Sequence, residues 1–124
     1  MSSGHDSEFI DTIVAAEKRR ISENRQRIER RREDLRSEAG RLASLMVECD
    51  PGIKRIRLFG SVLPRRTLRS DSDLDIAVEG ATRFSDLRRT VEESDWPVDL
   101  IEWETMPESI RNVVARDAEV LYES

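Results

Sequence analysis

The 124-residue chain predicts an α/β protein of the α+β kind, a small sheet flanked by helices and preceded by a long N-terminal helical extension. Three observations predict it. Residues 9–47 hold no proline and a single glycine, Gly40, among many Glu, Arg and Ala, which is helix composition. Two segments with period-two alternation follow, at 55–59 and 71–78, and a third apolar run occupies 97–101. Elsewhere in the second half, apolar residues recur at helical spacing. The organisation that follows is a tail and charged helical arm at 1–34 and a sheet domain at 35–124, whose roughly 85 residues suffice for one lean core.

Charged residues make up 38% of the chain and aromatics 5%, with a net charge of −5, so the surface as a whole does not suit nucleic acid. The charge is segregated. Residues 17–41 carry ten Lys or Arg against six Asp or Glu, and the remainder eleven against twenty. A basic arm on an acidic domain marks a partner-binding surface. A nucleic-acid role for 25–32 is disfavoured by the interspersed acids and the lack of aromatics. Cys49 is the single cysteine, so no internal disulfide forms and a reducing, cytoplasmic setting is expected. Beside Leu45-Met46-Val47 it reads as a buried structural thiol. The polar start, Ser2 to Ser7 with the lone His5, reads as disordered. No stretch has the roughly 20 apolar residues of a membrane span, and no secretory signal is legible.

Within the arm, Val14, Ile21, Ile28, Leu35 and Leu42 recur every seven residues. The matching positions Ile10, Glu17, Asn24, Arg31, Glu38 and Leu45 are apolar only at the ends, so a coiled-coil seam is narrow. One long helix or two helices meeting near Ser37–Gly40 fit equally. A solvated arm, a homo-oligomer through residues 10–48 and a face for another protein remain open, with association of some kind favoured because so charged a helix gains little alone. The denser stripe Leu35, Ala39, Leu42, Ala43, Leu45, Met46 is assigned to the sheet domain, and Asp50-Pro51-Gly52 stops the helix.

The first strand alternates Ile56 and Leu58 with Arg55 and Arg57, then closes on Phe59-Gly60-Ser61. A glycine there permits close approach of a phosphate, and the turn N–H groups and the Ser61 hydroxyl can meet an anion; an ordinary strand-ending turn reads equally well. In 71–78, Leu74, Ile76 and Val78 point one way, while Asp73 and Asp75 share the other face, roughly 6–7 Å apart at Cα. Two such carboxylates repel unless a cation lies between them. Oxygen ligands suit Mg²⁺ or Mn²⁺; an acidic, solvated strand entry is the alternative. Phe84, Leu87 and Val91 form a helical stripe, with Arg83, Arg88, Arg89, Glu92 and Glu93 outward. Trp96 and Trp103 bracket the third strand, as core or rim residues or as base-stacking platforms. Asp99, flanked by Val98 and Leu100, needs a metal or donors to remain charged in apolar surroundings. Pro107 opens a last helix with Ile110, Val113 and Val114 inward, and Val120–Tyr122 closes the chain as a short strand.

Phe59-Gly60-Ser61 followed by Ser72-Asp73-Leu74-Asp75 resembles the signature of the minimal nucleotidyltransferases of the DNA polymerase β superfamily. The resemblance spans about residues 40–123 and implies that family's small mixed sheet. It implies Asp73, Asp75 and Asp99 as catalytic and metal-holding residues, and Gly60, Ser61 and Ser72 at the nucleotide. Two Mg²⁺ ions, with Mn²⁺ as a substitute, and ATP as substrate follow. It also implies an antitoxin that adenylylates a hydroxyl of a HEPN-type toxin; the arm, on its own charge and length, is the candidate docking surface. The chain departs from the pattern where a second glycine is usual: Pro64-Arg65-Arg66 stands there, in a loop one residue longer. Arg65 and Arg66 can grip phosphate oxygens with their guanidinium forks; a solvated basic loop including Arg69 is the alternative. Asp71 reads as a spare ligand or a solvated loop end. Against the enzyme stand a fold that keeps only partner binding and an arm-mediated scaffold.

Overall fold

A computed structural model describes residues 3–64, 66–68 and 72–124, with side chains from Glu8 onward. His5, Arg65, Arg69 and Asp71, named above, lie outside these described side chains. The helix-forming composition of the first 49 residues produces one continuous helix, α1 (Ser3–Cys49). It settles the choice between one helix and two. Gly40 is exposed and a Cβ there would meet nothing within 4 Å, so this glycine lowers propensity without forcing a break. The N-terminal stretch expected to be disordered is helical from Ser3, since no proline interrupts propagation along α1.

The two halves of α1 differ in burial. Residues 8–27 are exposed, and packing begins with Ile28, Arg31 and Arg32 before running through Leu35, Ala39, Leu42, Ala43 and Met46. The boundary expected at 34/35 thus falls inside the packed stretch. Cys49 is partly buried against the same core.

Four strands follow: β1 (Arg55–Phe59), β2 (Leu74–Glu79), β3 (Val98–Glu102) and β4 (Glu119–Glu123). They form one mixed sheet in the order β3-β2-β1-β4, with β1 antiparallel to β2 and β4 and β2 parallel to β3. Helices α2 (Phe84–Glu92) and α3 (Glu108–Asp117) lie in the connections that follow β2 and β3.

Period two splits the sheet into unlike faces. Ile56, Leu58, Leu74, Ile76, Val78 and Leu100 enter the main core together with α1 and with Leu87 and Val91 of α2. The opposite face presents Arg57, Phe59, Asp75, Ala77, Asp99 and Ile101. Among the described residues, the hydrophobic side chains buried there form a small cluster of Ala77, Trp103, Met106 and Val114. A second departure lies in α3: Ile110 and Val113, expected to point inward, are 50% and 45% exposed, and of the three expected inward only Val114 is buried against the sheet. Among the described residues, no helix is long and apolar enough to cross a membrane.

Asp50, fully buried, locks the end of α1 to the turn before α2. Its carboxylate accepts N–H bonds from Gly52 (3.2 Å), Thr82 (2.7 Å) and Arg83 (2.8 Å), and the Thr82 hydroxyl at 2.6 Å. Burial alone would raise this carboxyl, but the Thr82 hydroxyl and the three N–H groups hold it below its ordinary value.

Candidate active site

Strand β2 begins at Leu74, so Asp73, expected inside the strand, stands just ahead of it and is exposed. Asp75 is the second residue of β2. Its partner in the parallel register is Asp99 of β3, and its partner in the antiparallel register is Phe59 of β1. Register neighbours share a face, with strands about 4.8 Å apart. The sheet therefore brings Asp75 and Asp99 side by side, with Asp73 one step away and Gly60-Ser61 at the adjoining end of β1.

Gly60 is the tightest point of this arrangement. Its φ is +83, and a Cβ built on it would stand 2.1 Å from Oδ2 of Asp75. The residue must be glycine both for its backbone and for the space the Asp75 carboxylate occupies. Sequence reasoning asked for a glycine there so that a phosphate could approach; the neighbouring Asp75 carboxylate is a second reason for it. Residues Gly60–Val62 form one 3₁₀ turn, closed by the Leu63 N–H on the Gly60 carbonyl at 3.2 Å, and half-buried Ser61 lies within it.

Electrostatics single out Asp75. Its carboxyl is pushed up to about 6, first by burial, then by the charges of Asp99 and Asp73. The sequence had placed the desolvated carboxylate at Asp99, but Asp99 is exposed, because β3 is an edge strand. The burial argument passes to Asp75. Among the described residues, no arginine or lysine pairs with any of the three.

The three offer hard oxygen donors with uncompensated negative charge, which suits Mg²⁺ or Mn²⁺. Among the described residues, no three carboxylate, histidine or cysteine side chains already stand grouped around a possible ion position. The donor chemistry fits a divalent cation; the side chains are not yet closed on one.

The remaining predicted residues are spread along the loop. Arg66 is exposed and pairs with Asp117 at the end of α3, at 3.1 Å. Ser72 is half-buried, and its carbonyl accepts Nη2 of Arg31 at 3.4 Å. A cavity of about 490 Å³ lies on the far side of the loop, lined by Leu63, Pro64, Arg66, Arg116, Asp117 and Glu119 among others. None of the three central carboxylates lines it. Neither tryptophan stands free: Arg31 lies 5.0 Å from the ring centre of Trp96, and Arg57 lies 3.7 Å from that of Trp103.

Sequence reasoning missed three arginines near the site. Arg57 is buried on the carboxylate-bearing face, stacked on Trp103 and 3.8 Å from Glu79; burial pushes its guanidinium down. Arg32, read as part of a solvated arm, is 7% exposed. Its Nη1 donates to the Leu63 carbonyl and, at 3.4 Å, to that of Val62, and its Nη2 donates to the Arg66 carbonyl at 3.1 Å. Arg31 serves the other end of the loop. The available signal was positional: both fall at the turn of α1 where the apolar stripe becomes dense.

No protein-family model and no curated protein matches the chain. Solved structures do. A toxin–antitoxin described with AMP-PNP is 23% identical, with a TM-score of 0.56 over 68% of this chain and 73% of that one. A mutant MntA toxin–antitoxin, with two Asp→Glu changes two positions apart, is 21% identical, with a TM-score of 0.55 over the same shares. The MntA–HepT toxin–antitoxin is 22% identical, with a TM-score of 0.50 over 68% of each chain. The order and directions of the four strands, the flanking helices and these likenesses identify the architecture as the nucleotidyltransferase fold.

Proposed function

We propose that the chain is a divalent-cation-dependent minimal nucleotidyltransferase, moving AMP from ATP onto a hydroxyl of a protein partner, and that the partner is a HEPN-type toxin that it neutralises. The observation carrying this reading is the register pairing of Asp75 with Asp99 beside Gly60, with Asp73 alongside, which concentrates negative charge that a divalent cation would relieve. Support comes from the similar toxin–antitoxin structures, one with AMP-PNP and one altered at two aspartates with the spacing of Asp73 and Asp75.

In the mechanism, Asp73, Asp75 and Asp99 would hold the cations, and Mg²⁺ bound there would supply Lewis-acid neutralisation of the triphosphate and of the departing pyrophosphate. Gly60 and Ser61 meet the β and γ oxygens through turn N–H groups and the Ser61 hydroxyl. Asp99, exposed at the sheet edge, orients the acceptor hydroxyl and takes its proton as the acceptor oxygen bonds to the α-phosphorus. The α–β bridging bond breaks and pyrophosphate leaves. A cation bound there would favour the ionised form of Asp75, so that it would serve as a carboxylate ligand.

The test is label transfer from α-labelled and γ-labelled ATP with Mg²⁺ onto candidate partners, comparing wild type with Asp73→Asn/Asp75→Asn. Transfer from the α position alone, lost in the double variant, is the expected result. No transfer, with ATP binding equal in both proteins, contradicts it and favours a second reading: a nucleotidyltransferase fold that neutralises or scaffolds a partner by contact through its long helix. The ungrouped metal donors and the engagement of Arg66 with Asp117 favour that reading.

A further inference from the structure

The arm and the site meet at one point, the Arg31-Arg32 pair of α1. Arg32 is buried, yet its charge faces backbone carbonyls, with exposed Glu29 at 3.4 Å from its Nε. A buried guanidinium is costly unless its donors are used. Here Nη1 and Nη2 meet the carbonyls of Val62, Leu63 and Arg66, the residues that leave the Gly60-Ser61 turn. Arg31 meets the carbonyl of Ser72, the residue before Asp73, while its guanidinium rests on Trp96. Two adjacent residues of one helix thus hold both described ends of the segment joining Ser61 to Asp73.

We infer that Arg31 and Arg32 are positioning residues which fix Val62, Leu63, Arg66 and Ser72, and with them the spacing of the Gly60-Ser61 turn from the carboxylates. The catalytic consequence rests on the nucleotidyltransferase reading above; the structural one does not. The helical extension therefore completes the site, and is more than an arm attached to it.

The experiment substitutes Arg32→Gln, Arg32→Lys and Arg31→Gln in the full chain, with Arg27→Gln on the exposed part of the helix as control. Backbone hydrogen exchange is read at the Leu63 and Arg66 amides, which bond to Gly60 and Leu63 carbonyls at 3.2 and 3.0 Å, and at sheet amides of Leu58 and Ile76. Binding of Mg²⁺·AMP-PNP is read alongside. Loss of a charged donor set predicts about tenfold or greater acceleration at the loop amides in Arg32→Gln, with unchanged sheet amides. Arg32→Lys, which keeps the charge but not the fork, falls between Arg32→Gln and wild type, and Arg27→Gln matches wild type. Nucleotide affinity falls in the same order. Equal protection in all variants overturns the inference. So does a uniform loss over loop and sheet, which would make Arg32 a general core residue. Should wild type bind no nucleotide, the nucleotidyltransferase reading fails and the exchange pattern alone decides the inference.

Discussion

The two faces of the sheet are built from alternate residues of the same strands, yet they do opposite work. On one, Leu58, Ile76 and Val78 are fully buried beneath α1. On the other, Asp75 stands between Gly60 and Asp99 with its carboxyl pushed up to about 6. The first face supplies the free energy that keeps the second in a conformation it would not choose, since a half-buried carboxylate beside two others opposes folding. Stability and function are separated by one residue of register.

Substitutions on the two faces sharpen that contrast. Leu58→Ala opens a cavity in the fully buried face, with an expected loss of about 3–5 kcal/mol in denaturant unfolding. What remains folded should bind Mg²⁺·nucleotide like wild type. Gly60→Ala drives a Cβ against Asp75 at a positive φ; about 2–4 kcal/mol is expected from strain and displacement together, with nucleotide binding lost from the folded protein too. If Gly60→Ala binds normally, the faces are not separable as described.

Asp75→Asn reverses the sign. The folded carboxyl titrates near 6, above the ordinary 3.8, so the ionised form is better tolerated in the unfolded chain. At pH 7–8 the substitution should stabilise the cation-free protein by about 1–2 kcal/mol after solvent screening. The gain shrinks as pH falls through 6 toward 4, where the native carboxyl is already protonated. Midpoints of urea unfolding across that range check it, and a variant less stable at pH 8 would contradict the cost of burying this carboxylate beside Asp99 and Asp73. The smallest effect belongs to the exposed apolar rim of α3: Ile110→Ser should change stability by less than about 0.5 kcal/mol, leaving any effect on partner capture legible.

Much of this was legible in the sequence. Period two in 71–78 gave the faces of β2, and the Gly-Ser end of β1 with three aspartates named residues that the sheet then brings near one another. Pairing was not legible. That Asp99 lies opposite Asp75 depends on the parallel register of β2 and β3, set by the whole core and by α2 between them. Burial was misassigned for a related reason: apolar neighbours Val98 and Leu100 made Asp99 look desolvated, but an edge strand leaves its polar face open. Arg32 looked like one more charge on a basic arm, since nothing local distinguishes a guanidinium aimed at carbonyls some thirty residues onward. Ile110 and Val113 fit a helical stripe with Val114, but of the three Val114 alone is buried.

The central claim is that Asp73, Asp75 and Asp99 form a divalent-cation site for a nucleotide. Calorimetric titration of AMP-PNP into the full chain, with Mg²⁺ or with EDTA, for wild type and Asp75→Asn, tests it without a partner. The account predicts binding in wild type with Mg²⁺, and none with EDTA or in the variant. Equal binding in all conditions, or none in wild type with Mg²⁺, would contradict it.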